Sequence, residues 1–166
     1  MAELEIIKHN DILFRDILRA VAVKNVAWPY PVEIHLKWII DNMQSNDMHV
    51  FLKENGEYKA YMTVSPVTAT MNGVETPFMG VGCVCSAKRG VGLGKQLMKS
   101  VNKWLNDNSH KGLLFCKKEL ILFYKKQGWS LIEPTSVALT RPRDGVYTMS
   151  YNCDDIKKIE YKDRLF

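Results

Sequence analysis

A short glycine-rich segment, Arg89-Gly90-Val91-Gly92-Leu93-Gly94-Lys95, holds the residues best suited to chemistry in this sequence. Glycines leave backbone N–H groups uncovered, and N–H groups beside the positive N-terminus of a helix bind anions such as a diphosphate. An apolar strand pattern precedes the segment, and an amphipathic helix pattern follows it. The segment therefore predicts an anion-binding turn between a strand and a helix.

Two common nucleotide-binding loops do not fit this segment. The loop of ATP- and GTP-binding proteins requires Ser or Thr after Gly94-Lys95, where Gln96 stands instead. The dinucleotide fingerprint requires G-x-G-x-x-G within a βαβ unit, whereas this chain has G-x-G-x-G after a run of antiparallel strand patterns. Neither ATP or GTP chemistry nor nicotinamide chemistry is favoured.

The order Arg-x-x-Gly-x-Gly, filled by Arg89, Gly92 and Gly94, resembles the loop with which GNAT N-acetyltransferases hold the pyrophosphate of acetyl-CoA. A second segment, 123–129, is similar to the helix-to-strand segment of that family, in which a tyrosine faces the cofactor sulfur. The resemblance implies direct transfer of the acetyl group of acetyl-CoA to a primary amine of a small molecule. It also implies that residues 89–95 and the backbone N–H near Val84 contact acetyl-CoA, and that Tyr124 protonates the departing thiolate.

The C-terminal third, residues 113–166, also resembles aminoglycoside 2'-N-acetyltransferases. The similar features are Gly128-Trp129, a turn over 141–145 and the aromatic Phe166. Those enzymes surround a polycationic sugar with carboxylates, but this chain carries Arg143 and Arg164 in the corresponding region, where like charges would repel such a sugar. Both an aminoglycoside-like acceptor and a less cationic amine stay open.

The acceptor side carries weaker signals. The segment Trp28-Pro29-Tyr30-Pro31 predicts a semi-rigid aromatic loop that either caps the core or lines the acceptor pocket. We expect substrate contacts from Trp28, Tyr30, Glu75 and Phe166. The general base is left open among Glu75, Asp47, His35, the terminal carboxylate of Phe166 and a chain of water molecules. Two rival functions are a non-catalytic CoA-binding module and an acetyltransferase that acts on a protein or peptide amine.

The periodicity of the chain predicts the elements that position these residues. A helix is expected to begin at Asn10 with Leu13, Ile17, Ala20 and Val21 buried, and Pro66 is expected to interrupt a strand. The other expected features are a second helix with Leu36, Ile39, Ile40 and Met43 inward, hairpin turns at Asn55-Gly56 and Asn72-Gly73, a helix with Leu93, Leu97, Met98, Val101 and Leu105 inward, and a helix that carries Leu120 and Tyr124 on one apolar stripe and ends at Gly128.

Composition sets the class of protein. The chain has 166 residues, 46% hydrophobic and 25% charged, which predicts one α/β (α+β) domain over 1–166. With the resemblance, the expected fold is a GNAT fold whose mixed, mostly antiparallel sheet has about seven strands flanked by about four helices. The formal charge of +5 favours anionic partners, but the basic residues are scattered, so nucleic acid is not expected.

Targeting signals and cysteine usage complete the expectations. The N-terminal residues resemble no signal peptide, and no apolar run is long enough for a membrane span, so we expect a cytoplasmic protein without a membrane partner. The four cysteines lack paired spacing and are expected to be reduced thiols that bind no metal. The sequence leaves a homodimer open.

Overall fold

Two Asn-Gly pairs set up the long strands of this chain. In the computed structural model, which describes residues 1–166, Asn55 and Asn72 have φ 51°, and the glycines that follow them have φ 77° and 83°. Two successive residues with positive φ make the tight turn that matches the twist of paired strands. Both hairpins predicted from the sequence are therefore confirmed.

Nine strands form one mixed sheet, whose order is β1-β2-β3-β4-β5-β8-β6, while β9 pairs with β3 and β7. β4 and β5 are parallel, as are β7 and β9. β1 is antiparallel to β2, β2 to β3, and β8 to both β5 and β6. The strands are β1 (Glu3–Lys8), β2 (Met48–Glu54), β3 (Glu57–Met71), β4 (Val74–Ser86), β5 (Gly112–Lys117), β6 (Ser130–Leu131), β7 (Val137–Leu139), β8 (Val146–Tyr151) and β9 (Ile159–Tyr161).

Four α-helices accompany the sheet: α1 (Phe14–Ala27), α2 (Val32–Asn42), α3 (Leu93–Asp107) and α4 (Ile121–Lys126). Short 3-10 turns lie at Lys118–Leu120 and Pro134–Ser136. Pro29 and Pro31 separate α1 from α2, as proline rigidity requires. No helix combines the length and the apolar character that crossing a membrane would need. The mixed, mostly antiparallel sheet with four helices confirms the predicted fold class.

The chain divides into two compact units, each with its own apolar core. Unit 1 comprises Met1–Ser65 and Gly82–Asn102, and unit 2 comprises Pro66–Val81 and Lys103–Phe166. In unit 1, one face of α1 packs on the sheet through Ala20 and Val23 against Phe51 and Tyr61. The core of unit 2 includes Val67, Phe78, Leu113, Ile132, Ile159 and Tyr161, with Phe115 and Phe166 packed against it.

Several local predictions are wrong. α1 begins at Phe14 rather than at Asn10, and Leu13 is 53% exposed, so it does not belong to the buried stripe. Ile40 is 75% exposed on the outer side of α2. Leu120 is exposed in a 3-10 turn, so Tyr124 does not share an apolar helix stripe with it.

Pro66 does not break β3. The pairing of β3 with β2 ends at Val64, and its pairing with β9 involves Thr70 and Met71. Pro66 lies where neither of these neighbours pairs with it, and a residue without an N–H group is tolerated at such a position. The sheet has nine strands rather than seven for two reasons. The segments before and after Pro66 form one strand, β3, and the sheet also contains β1, β7 and β9, which have weak sequence signals.

Candidate functional site

The residues that join β4 to α3 form a turn with open space above its glycines. Gly90 has φ 76° and Gly92 has φ 82°, a region that residues with a side chain rarely adopt. A Cβ atom built on either glycine would meet no other atom within 4 Å. Both glycines are needed for their backbone conformation, and no side chain fills the space beside them. The backbone of this turn is therefore uncovered and accessible from outside.

The start of α3 favours a negative ligand. Its first turn carries no acidic residue, and the exposed Lys95 lies there. The Gln96 N–H bonds the Gly92 carbonyl at 3.0 Å, so Gly92 is part of the hydrogen bonding at the helix start. Because the N-terminus of a helix carries partial positive charge, an anion at this position is stabilised.

Arg89 fixes the turn to the end of α1. Its guanidinium donates to the backbone carbonyls of Val26 at 3.3 Å and Ala27 at 3.0 Å. A positive charge at a helix C-terminus is favourable, and these carbonyls have no partner within the helix. Arg89 therefore positions the turn through α1, and unit 1 brings together all the residues predicted between 89 and 95.

The end of β4 is distorted just before this turn. Cys83 has φ 53°, which is rare for a residue other than glycine and is costly in the middle of a strand. Val84, predicted to present its N–H group to the thioester, is the next residue and is partly buried. Conformations of this kind persist where the surrounding structure holds them, and they concentrate at functional sites.

Tyr124 lies in the short helix α4 of unit 2. It is 7% exposed, and its ring contacts that of Phe123 edge to face at 5.0 Å between centroids. Its carbonyl accepts hydrogen bonds from the N–H groups of Gln127 and Trp129, which close the end of the helix. Gly128, with φ 87°, ends the helix as predicted.

The four predicted acceptor residues are divided between the two units. Trp28 and Tyr30 lie in unit 1 on the loop after α1, where the buried His35 bonds the Trp28 carbonyl through Nε2 at 3.0 Å. Burial, with the Lys24 charge second, lowers the pKa of His35. Glu75 is exposed near the start of β4 in unit 2. The Phe166 ring packs on Phe115 and Tyr161 in unit 2.

A chain of hydrogen bonds in unit 1 was not predicted. His49, which is fully buried on β2, bonds His9 through Nε2 at 2.9 Å and the Tyr61 hydroxyl through Nδ1 at 2.7 Å. Burial, followed by the neighbouring charges of His9 and Lys24, lowers the pKa of His49 to about 3. His49 is therefore neutral at physiological pH. No local sequence pattern predicts these hydrogen bonds, because His9, His49 and Tyr61 are far apart in the sequence.

Lys24 is a second buried polar residue that sequence reasoning missed. It is 4% exposed, and its nitrogen lies 4.0 Å from the ring centroid of Trp38 on α2. The signal was present, because Lys24 follows Ile17, Ala20 and Val21 at the spacing of one helix face. Burial raises the pKa of the neighbouring Cys83 thiol, although Lys24 acts in the opposite direction.

No three His, Cys, Asp or Glu side chains lie together in a group that could hold a metal ion. Cys85 packs in the core of unit 1, and burial raises the pKa of its thiol.

Comparison with known proteins identifies the fold. No family model matches the sequence, and no curated protein matches it. Among solved structures, the chain is similar to the GNAT family N-acetyltransferase YhbS of Escherichia coli in complex with CoA, with a TM-score of 0.64 and 15% identity over 96% of this chain and 89% of that one. An acyl-CoA N-acyltransferase of Pseudomonas aeruginosa gives a TM-score of 0.62 and 18% identity over 90% of this chain and 99% of the other.

A third similar structure is a GNAT family acetyltransferase of Brucella melitensis in complex with acetyl-CoA. Its TM-score is 0.56, and its identity is 16% over 96% of both chains. At these identities the likeness concerns the fold. The chain therefore has the fold of the GNAT N-acetyltransferases, and two of the structures it resembles hold CoA or acetyl-CoA.

Proposed function

We propose that this protein is an N-acetyltransferase that uses acetyl-CoA as co-substrate and acetylates the primary amine of a small molecule. The observation that carries the proposal is the open turn at Gly90 and Gly92, which precedes α3 in a GNAT fold. A diphosphate is bound by uncovered N–H groups in a positive field, and the open glycines at the N-terminal end of α3 support placing it at this turn. The complexes of two fold neighbours with CoA or acetyl-CoA support the choice of ligand.

The proposed chemistry assigns a role to the predicted cofactor-binding residues and to Tyr124. The backbone of residues 89–95 binds the diphosphate, and the backbone N–H near Val84 polarises the thioester carbonyl. The neutral amine attacks the carbonyl carbon, forming the C–N bond, and the C–S bond then breaks. The thiolate takes a proton from the Tyr124 hydroxyl, which the resemblance of residues 123–129 assigns as the acid. The amine releases its proton to solvent, and solvent returns a proton to the Tyr124 phenolate for the next turnover.

Calorimetric titration of CoA tests the binding turn. The variant Gly92→Val places a branched side chain in the open space and forces it into positive φ, so we expect CoA affinity to fall at least about tenfold. Gly56→Val is the matched control, because Gly56 has φ 77° and open space but lies in the β2–β3 hairpin. Equal CoA affinity in all three proteins would contradict the proposal.

Release of free thiol from acetyl-CoA tests turnover. The panel contains aminoglycosides, polyamines, amino acids and a peptide with a free N-terminus, because the acceptor class is not set by the fold. Thiol release with small amines supports the proposal, and a response to aminoglycosides would support the finer resemblance of residues 113–166. A protein that binds CoA but releases no thiol with any amine would be a CoA-binding module instead.

A further inference from the structure

Lys24 carries a positive charge into the interior of unit 1 without an acidic partner. It is 4% exposed, and no Asp or Glu oxygen lies within 4.0 Å of its nitrogen. Asp16, two turns earlier on α1, is also buried, but it pairs with Arg19 at 2.7 Å. Buried charges in folded proteins are normally paired. The Lys24 site therefore lacks one negative charge.

The groups around Lys24 do not supply that charge. The Trp38 ring offers only its π face, at 4.0 Å. The Lys24 charge contributes to the lowered pKa of both His35 and His49, so both histidines lie near it. A histidine side chain is neutral or positive at physiological pH, so neither supplies a negative charge. Burial raises the pKa of Cys83, so its sulfur is a neutral thiol at physiological pH. None of these neighbouring groups carries a negative charge that would pair with Lys24.

A second polar group beside Cys83 is also incompletely satisfied. Thr63 on β3 is 2% exposed, and its hydroxyl oxygen has no hydrogen-bond partner of good geometry. It is nevertheless close enough to the sulfur of Cys83 to lower the pKa of that thiol, as Lys24 is. The Lys24 ammonium and the Thr63 hydroxyl, both hydrogen-bond donors, therefore lie near the same sulfur. A buried hydroxyl without a well-placed partner lowers the stability of the fold.

Two residues beside Lys24 are partly exposed. Cys83 and Trp38 are both partly exposed, so the cluster reaches the surface of unit 1 at these two residues. The positive φ of Cys83 lies at the same place, where β4 departs from regular strand geometry. Solvent therefore reaches two residues of the cluster that surrounds Lys24.

We propose that Lys24 and Thr63 bind a carboxylate group of the substrate. A carboxylate carries one negative charge, which matches the single uncompensated charge, and its two oxygens accept hydrogen bonds from an ammonium and a hydroxyl. A phosphate dianion would leave one negative charge buried without a partner, and a polycationic sugar would be repelled. The inference rests on the proposed acetyltransferase function. The carboxylate belongs either to the amine acceptor, as in an amino acid, or to a dicarboxylic acyl group on CoA.

Matched substrates distinguish the two sources. Thiol release is measured from acetyl-CoA with L-phenylalanine, L-leucine and glycine and with the amide of each, and then from succinyl-CoA with the amides. If the acceptor carries the carboxylate, the acids exceed their amides at least about tenfold in kcat/KM, which is the weight of one charge-assisted hydrogen bond. If the acyl group carries it, succinyl-CoA exceeds acetyl-CoA with the amides. Equal rates in every pair would overturn the proposal.

Two variants assign the effect to the site. Lys24→Met keeps the length and apolar stem of the side chain and is expected to abolish the preference for the carboxylate, whereas Lys37→Met, which removes an exposed lysine of α2, is expected to retain it. Thr63→Val keeps the shape of the side chain and is expected to reduce the preference several-fold. A preference that is unchanged in both Lys24→Met and Thr63→Val would overturn the proposal.

A binding measurement separates this inference from the proposed function. Thermal denaturation is followed with the N-acetyl derivatives of the same amino acids and with succinate, for the wild type and for both variants. Stabilisation of the wild type that is lost in Lys24→Met or Thr63→Val supports the carboxylate site even if CoA does not bind. No stabilisation by any carboxylate would overturn it, even if the calorimetric titration shows that CoA binds.

Discussion

Individual side chains make the interior of unit 1 more polar than a simple apolar core. His49, Lys24, Thr63 and His35 are all less than 5% exposed. Three of them have compensating contacts: His49 has two hydrogen-bond partners, His35 bonds a backbone carbonyl, and Lys24 lies over an aromatic ring. Because such groups are costly to bury, their concentration under α1 marks a place where the fold accepts lower stability.

His49 makes the stability of the protein depend on pH. Its pKa is about 3 in the folded protein against 6.5 for an ordinary histidine, so the unfolded chain binds the extra proton first. The stabilising contribution is complete above about pH 6.5 and is lost as the pH falls towards about 3, with a slope of up to about 1.4 kcal/mol per pH unit. Urea unfolding at several pH values between these limits measures it.

The variant His49→Gln isolates this residue. Glutamine keeps a hydrogen-bonding side chain on β2 but does not titrate, so the free energy of unfolding should vary less with pH than in the wild type. His35, whose pKa is also lowered, and the carboxylates are present in both proteins and cancel in the difference. Parallel pH curves for the two proteins would show that His49 does not titrate as described.

Tyr124→Phe tests the proposed acid. Loss of the hydroxyl should lower kcat by about 100-fold or more, since a positioned general acid contributes that much. The affinity for CoA should stay the same, because the predicted contacts to the diphosphate lie at residues 89–95. Single-turnover thiol release and calorimetry measure the two quantities.

Tyr147→Phe is the matched control for Tyr124→Phe, because Tyr147 is a partly buried tyrosine of β8 to which no role is assigned. It should leave kcat unchanged. If Tyr124→Phe retains the wild-type kcat, the acid is another group or water.

At the scale of helices and strands, Phe166 packs on the backbone of β4 at Gly80 in unit 2. A Cβ atom on Gly80 of β4 would lie 2.3 Å from Cζ of Phe166, so the ring of Phe166 lies directly on the backbone of β4. Phe166 also contacts the rings of Phe115 on β5 and Tyr161 on β9. Gly80 is therefore required for the docking of Phe166.

We expect Gly80→Ala to lower the free energy of unfolding by about 1–3 kcal/mol, which is typical of overpacking. In the background of Phe166→Ala the same change should cost much less, because the space is then free. Urea unfolding of the four proteins of this double-mutant cycle measures the coupling between the two positions. Additive effects would mean that the ring does not lie on Gly80.

The elements also show which features the sequence can predict. The hairpins were predicted correctly because Asn-Gly specifies its turn locally, and the positive φ of Gly90 and Gly92 is likewise a local property of glycine. The start of α1 was misplaced because Asn10 resembles a capping residue, whereas the turn at 9–11 delays the helix to Phe14. The hydrogen bonds of His49 and the partners of Lys24 depend on strand pairing and helix packing across long sequence separations, which no local pattern encodes.

For the molecule as a whole, the formal charge of +5 bears on ligand binding. CoA carries a diphosphate and a further phosphate, so its attraction to a positive protein should be screened by salt. Calorimetry at about 50 mM and about 500 mM NaCl should show several-fold weaker binding at the higher salt concentration, where the screening length falls to a few ångströms. Pantetheine, which lacks the phosphates, is the control and should bind equally at both. Salt-independent binding of CoA would exclude the phosphates as the main contacts.

The contact between Lys24 and Trp38 also provides an optical signal. An indole responds to a charge held against its ring, and here the charge lies 4.0 Å from the ring centroid. A carboxylate that approaches Lys24 changes the electric field at the indole, so the tryptophan fluorescence of the unlabelled protein changes in wavelength or intensity. Subtracting the emission of a Trp38→Phe protein leaves the contribution of Trp38 alone. Binding of a carboxylate beside Lys24 can then be measured without turnover.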